Sequence, residues 1–163
     1  MNYQIRNAKQ EDLERIQEIY AIAREFMAQN GNPDQWGSNY PPQSCLEQDI
    51  LRGELFVLEN QSRICGVFYF SVTEDPTYAE IFGGSWRSDS PYGVIHRIAG
   101  DGSGGILSAA VSYAQNQISH IRIDTHEDNT VMQKALAKQG FQMRGTIYIE
   151  DGSPRYAYDR LTE

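Results

Sequence analysis

Between positions 13 and 27, Leu13, Ile16, Ile19, Tyr20, Ala23, Phe26 and Met27 recur at intervals of three and four. That spacing lays one apolar stripe along an amphipathic helix, which Asn30-Gly31 and then Asn32-Pro33 should stop. Tyr3 to Asn7, just before it, alternates as a short half-buried strand does. The stretch from Pro33 to Pro42 is turn-rich yet carries Trp36 and Tyr40, large rings that a solvated linker would not need, so both are expected to pack. Ser44 and Glu47 form a capping-box pattern for a brief second helix, with Leu46, Ile50 and Leu51 inward and Gly53 at its end.

Leu55 to Glu59 and Arg63 to Val72 are rich in Val, Ile, Phe and Tyr and predict an antiparallel hairpin across Asn60-Gln61-Ser62. Thr73 to Pro91, punctuated by Pro76, Gly83, Gly84 and Pro91, predicts a long irregular excursion with some extended structure near Tyr78 to Phe82. Tyr92 to Ala99 returns to strand character and runs into a glycine turn from Gly100 to Gly105. A buried helix from Ile106 to Gln117 follows. His120 to Asp124 predicts a strand, Asn129 to Lys138 a helix closed by Gly140, and Phe141 to Ile149 with Arg155 to Leu161 a hairpin around Asp151-Gly152. The order β-α-α-β-β-β-α-β-α-β-β specifies an α/β fold, a mixed sheet with helices on both faces. No repeat or low-complexity tract divides residues 1–163, which read as a single domain.

Charge narrows the function. Fourteen Lys plus Arg against twenty-two Asp plus Glu leave a formal charge of -8, which argues against nucleic acid as partner. Cys45 and Cys65 lack CxxC spacing and read as free core thiols, consistent with the cytoplasm. No stretch approaches the apolar length of a membrane span, so no membrane partner is expected. No His/Cys cluster has ligand spacing, so no metal is implied.

Three local patterns, in order, resemble the GNAT N-acetyltransferase superfamily across essentially the whole chain. His96-Arg97-Ile98-Ala99 leading into Gly102-Ser103-Gly104-Gly105-Ile106 resembles its fourth strand and pyrophosphate loop; Asn129 resembles the asparagine after its fifth strand, and Gly140-Phe141 completes that motif. The resemblance implies a mostly antiparallel mixed sheet and acetyl-CoA as cosubstrate. The pyrophosphate would sit on Gly102, Ser103, Gly104, Gly105 and Ile106, where backbone N–H groups and a helix N-terminus favour an anion. Asn129 would hold the pantetheine arm, or simply cap its helix. Backbone N–H groups at Ile98, Ala99 and Gly100 would meet the thioester carbonyl and the pantetheine amides. Two departures stand out: the loop has no basic residue between Gly100 and Gly105, and the tyrosine that many members place seven residues after the asparagine is Leu136.

The implied chemistry is direct attack by an amine on a thioester, which needs a base, an oxyanion donor and a proton for the thiolate. His96 and Glu80 are the candidate bases; an unperturbed histidine titrates near 6.5, and the competing role for His96 is a packed structural one. Tyr148 is the candidate acid. Trp36 and Tyr40, with His126, are candidates for the acceptor end of the cleft, where aromatic faces suit a cationic or apolar amine. The implied activity is acetyl transfer to a primary amine of a small molecule, amino acid or peptide. A non-catalytic CoA or acyl-CoA binding module is the alternative, and an interaction module without nucleotide a third. The exposed edge strand or the tyrosine-rich last hairpin offers a surface for a homodimer.

Overall fold

The computed structural model describes residues 2–162. Seven strands form one sheet in the order β1-β2-β3-β4-β5-β7-β6. They are β1 (Gln4–Asn7), β2 (Leu55–Asn60), β3 (Arg63–Val72), β4 (Gly93–Gly100), β5 (His120–Thr125), β6 (Gln142–Tyr148) and β7 (Pro154–Leu161). The four helices are α1 (Leu13–Gln29), α2 (Gln43–Leu51), α3 (Ile106–Gln117) and α4 (Thr130–Lys138). Every neighbouring pair is antiparallel except β4 and β5. The expected architecture is thus present.

Both faces of the sheet are covered, which is why its central strands read as nearly continuous apolar runs. Leu55, Val57 and Val67 face α1 and α2, meeting Leu13, Ile16, Ile19, Tyr20 and Leu46. The alternate residues Phe56, Leu58, Phe68 and Phe70 face α3, where they pack with Ala110, Val111 and Ala114. Gly66 and Gly100 let α3 come close, since a Cβ at either would lie 2.7 Å from a side-chain carbon of Ile106. Gly140, at φ +85°, ends α4 in the left-handed region that glycine tolerates.

One local expectation is corrected and another is met only in part. The Ser44–Glu47 capping box does not form: α2 begins at Gln43 with Pro42 as its N-cap and no side-chain cap. Pro42 already holds the extended geometry that an N-cap requires (φ -71°, ψ 154°), so Ser44 falls inside the first turn. The extended structure expected near Tyr78 to Phe82 is present only in part. Asp75 caps a 3-10 turn at Pro76–Tyr78, accepting from the Thr77 N–H, and extended pairing is limited to one bridge between Phe82 and Thr146.

The excursion is nonetheless firmly docked. The Arg122 guanidinium lies between the rings of Trp86 (4.1 Å) and Tyr92 (3.9 Å) and donates to the Ser88 carbonyl at 2.8 Å. Trp86 Nε1 donates to the Tyr78 carbonyl, and the Arg87 N–H donates to Asp159. Gly84 passes so close to β6 that a Cβ there would sit 1.9 Å from the Arg144 carbonyl oxygen.

Candidate active site

Strands β4 and β5 pair only at Gly93–Ile121 and Val94–Arg122, then separate. Beyond that point a cleft of about 890 Å³ opens, lined from β4 by His96, Arg97 and Ile98 and from β5 by Ile123, Asp124 and Thr125. A bulge in β4 sharpens the departure. Tyr69 of β3 pairs with His96 but Val67 pairs with Ala99, so Arg97 and Ile98 share one partner position, and Arg97 takes φ +49°. The Arg97 carbonyl accepts from the Tyr20 hydroxyl at 2.6 Å, which ties the bulge to α1.

The Arg97 side chain crosses to α2 and donates to Asp49 Oδ2 at 2.7 Å, with its guanidinium 4.7 Å from the Tyr69 ring centroid. Burial pushes the Asp49 carboxyl above the ordinary carboxylate range, and Arg97 offsets only part of that. Trp36 packs edge-on against Tyr20 at 5.6 Å and lies 6.2 Å from Tyr40, so both rings line the cleft on packed supports.

Three elements converge on His96. Its Nε2 is 2.8 Å from Asp75 Oδ2, and its Nδ1 is 3.8 Å from Asp124 Oδ1 across the gap between the strands. Asp75 Oδ1 accepts from both the N–H and the hydroxyl of Thr77. Burial alone would raise the Asp75 carboxyl, but the bonds from His96 and Thr77 outweigh it and hold the group at about 2. Tyr78 donates to Asp124 Oδ1 at 2.6 Å; burial first and the Asp124 charge second push its phenol well up, so it remains a donor.

Asn129 is both a cap and a tether. Its Oδ1 accepts from the Met132 N–H, and its Nδ2 donates to Gln35 Oε1 at 3.0 Å, so the loop between α1 and α2 reaches across the opening to the start of α4. His126 lines the same cleft, with Nδ1 accepting from the Asp128 N–H. At the far end of β4, Gly105 precedes α3 at φ +73° with no side-chain cap, leaving the first-turn N–H groups of Ile106, Leu107 and Ser108 without helical acceptors. Gly102 and Gly104 also have positive φ, and each has open space where a Cβ would stand. Ser103 turns inward: its N–H and hydroxyl both donate to Asp101, which Arg15 neutralises at 3.1 Å.

Among the candidates read from sequence, His96, Ile98, Asn129, Trp36, Tyr40 and His126 meet in this cleft. Glu80 and Tyr148 are exposed and lie outside its lining, Tyr148 pairing with the Phe82 ring at 5.5 Å. Ala99 is buried in the α1 core. Sequence reasoning missed Asp75, Asp124, Tyr78, Asp49, Arg97 and Gln35 as site residues. Two sequence signals touched them: Asp75-Pro76-Thr77, readable as a capped turn, and the His96-Arg97-Ile98-Ala99 pattern, which contains Arg97.

No family model matches the sequence, and no curated protein does. Solved structures do. An acetyltransferase of the GNAT family from Streptococcus agalactiae is 28% identical, with 99% of this chain and 96% of that one covered at a TM-score of 0.87. The chain belongs to the GNAT superfamily of acetyltransferases. Two further structures share the fold. A GNAT acetyltransferase from Listeria monocytogenes is 21% identical (98% and 95% covered, TM-score 0.69). A ribosomal-protein-alanine N-acetyltransferase from Brucella melitensis is 16% identical (98% and 99% covered, TM-score 0.64). The splayed strands, the uncapped glycine turn and the half-buried polar cluster of this GNAT chain therefore belong to a transferase.

Proposed function

We propose that this protein is a cytoplasmic acetyl-CoA-dependent N-acetyltransferase acting on a primary amine of a small molecule, amino acid or peptide. One observation carries the reading: β4, the strand that parts from β5, bears a histidine set between two carboxylates and runs on into an uncapped glycine-rich helix start. The glycine turn fits a diphosphate, because the first-turn N–H groups of α3 have no helical acceptors, the positive end of the helix lies there, and Gly102 and Gly104 leave open space where a side chain would stand. With Ser103 held by Asp101, the Ile106, Leu107 and Ser108 amides supply most of that contact. Acetyl-CoA, when bound, supplies an acetyl group activated as a thioester.

His96 acts as the base that takes the ammonium proton, and the β4 backbone from Ile98 to Gly100, which follows the bulge at Arg97 and Ile98, supplies the oxyanion donor. Trp36 and Tyr40 form the aromatic side of the acceptor site, and Asp75 and Asp124 give the His96 end of the cleft a negative field that favours a cationic amine. Incubation with acetyl-CoA and a panel of primary amines, from alkyl amines and amino-acid amides to polyamines, should release free thiol with at least one of them.

Leu136 favours a second reading. It occupies the position of the usual proton-donating tyrosine and is fully buried in the core, so α4 brings no acid to the cleft from there. A CoA-binding module without turnover would show a thermal shift with CoA and no thiol release from any amine.

A further inference from the structure

We infer that Asp75 is a positioning residue that fixes the tautomer of His96, so that the bare Nδ1 faces Asp124 and the acceptor ammonium is bound and deprotonated between those two groups. The inference rests on the acetyl-transfer reading of the cleft and adds the geometry of its proton-transfer step.

An ionised carboxylate only accepts, and Asp75 is ionised at any pH well above about 2. The proton in its 2.8 Å bond to His96 therefore sits on Nε2, and the neutral ring must carry its lone pair on Nδ1. Asp75 cannot turn away, because Thr77 holds the other oxygen through two bonds and the Asp75 N–H donates to the Tyr92 hydroxyl at 2.9 Å. The groups facing the imidazole are Asp75, Tyr78 of the 3-10 turn, Tyr69 of β3 and Asp124 of β5. Among them, Asp124 alone faces Nδ1 with a charge.

The Nδ1 to Asp124 separation of 3.8 Å is too long for a hydrogen bond. An ammonium nitrogen about 2.9 Å from both atoms closes a triangle over that edge, with one N–H aimed at each. Tyr78 already donates to Asp124 Oδ1, which holds the carboxylate in place for the second contact. The ammonium passes one proton to Nδ1 and becomes a free amine. Its nitrogen forms the C–N bond to the acetyl carbonyl carbon as the C–S bond breaks, and the second N–H proton goes to the departing sulfur. His96 then returns its proton to solvent, so the balance is one amide, one thiol and one released proton.

Asp75→Asn tests the tautomer. Thr77 requires an acceptor, so the new amide keeps its oxygen there and turns its NH2 to Nε2, which drives the ring proton onto Nδ1 and removes the lone pair facing Asp124. Ring 15N spectra of labelled full-length protein, with His96 assigned through His96→Gln, should show Nε2–H in the wild type and Nδ1–H in Asp75→Asn. Turnover with the best amine of the panel should fall about a hundredfold or more, with the KM for acetyl-CoA unchanged. Asp124→Asn should instead raise the KM for the amine about tenfold or more. Nδ1–H in the wild type would overturn the inference even if Asp75→Asn failed to fold, and so would wild-type turnover in a folded Asp75→Asn. No thiol release from any amine, with Nε2–H observed, would overturn the acetyl-transfer reading and leave the tautomer assignment standing.

Discussion

Replacing Asp49 by Ala strands the Arg97 guanidinium beneath α2 without its carboxylate. The Asp49 side chain is 7% accessible and that of Arg97 14%, so water replaces little of what is lost. Breaking one side of a buried pair typically costs about 3–5 kcal/mol, because the remaining charge is uncompensated. Here Arg97 keeps the Tyr69 face at 4.7 Å and a long 3.5 Å contact to the Tyr40 hydroxyl, which sets the expectation at the lower end, about 3 kcal/mol. For a chain of this size, that lowers Tm by about 6–12 °C. Removing both charges should be far milder, since burial already disfavours the Asp49 carboxylate and an apolar pair avoids that desolvation. The assay is thermal unfolding of Asp49→Ala, Arg97→Met and the double variant. The double variant should be at least about 2 kcal/mol more stable than the sum of the single losses implies. Additive losses, or an Asp49→Ala melting point within about 2 °C of wild type, would refute the argument that the pair holds the β4 bulge against α2.

Gly104→Asp places a carboxylate in open space beside the start of α3, so CoA affinity measured by calorimetry should drop at least about tenfold; unchanged affinity in folded protein would remove the diphosphate from this loop. Gly84→Ala forces a methyl carbon onto the Arg144 carbonyl, and because the same segment carries Asp75 and Tyr78, both stability (by about 1–3 kcal/mol) and turnover should fall together in melts and thiol assays. Asp75 contributes acid lability of definite sign. Its folded value of about 2 lies below the ordinary 3.8, so its contribution of about 2 kcal/mol is full above the ordinary value and is lost as pH falls through 2. Denaturant titrations between about pH 5 and 2 should show wild type losing that much more stability than Asp75→Asn; equal losses would contradict the bonding assigned to Asp75.

Much of the scaffold was legible from local patterns. The helical stripe from Leu13 to Met27, the alternation in Leu55 to Val72 and the turns at Gly140 and Asp151-Gly152 all mark elements that the structure contains. Errors were confined to places where two local signals competed. Pro42 and Ser44 both suit a helix start, and the residue already in extended geometry prevailed. Around Tyr78 to Phe82, Asp75-Pro76-Thr77 favoured a capped turn and left extended structure only at Phe82.

By itself, the sequence determined the elements, their order and the glycine turn at a helix start, because periods of 3.6 and 2 and the freedom of glycine act over a few residues. Tertiary structure alone decided which polar groups meet. His96 reaches Asp75 over 21 residues, Tyr78 reaches Asp124 over 46, and Arg97 reaches Asp49 over 48. None of those separations carries a period. They become contacts only because β4 and β5 part after two paired positions, a bulge turns Arg97 toward α2, and a docked excursion brings Asp75 and Tyr78 to the opening. Burial then converts proximity into chemistry, since a carboxylate removed from water binds whatever donor the fold has placed beside it.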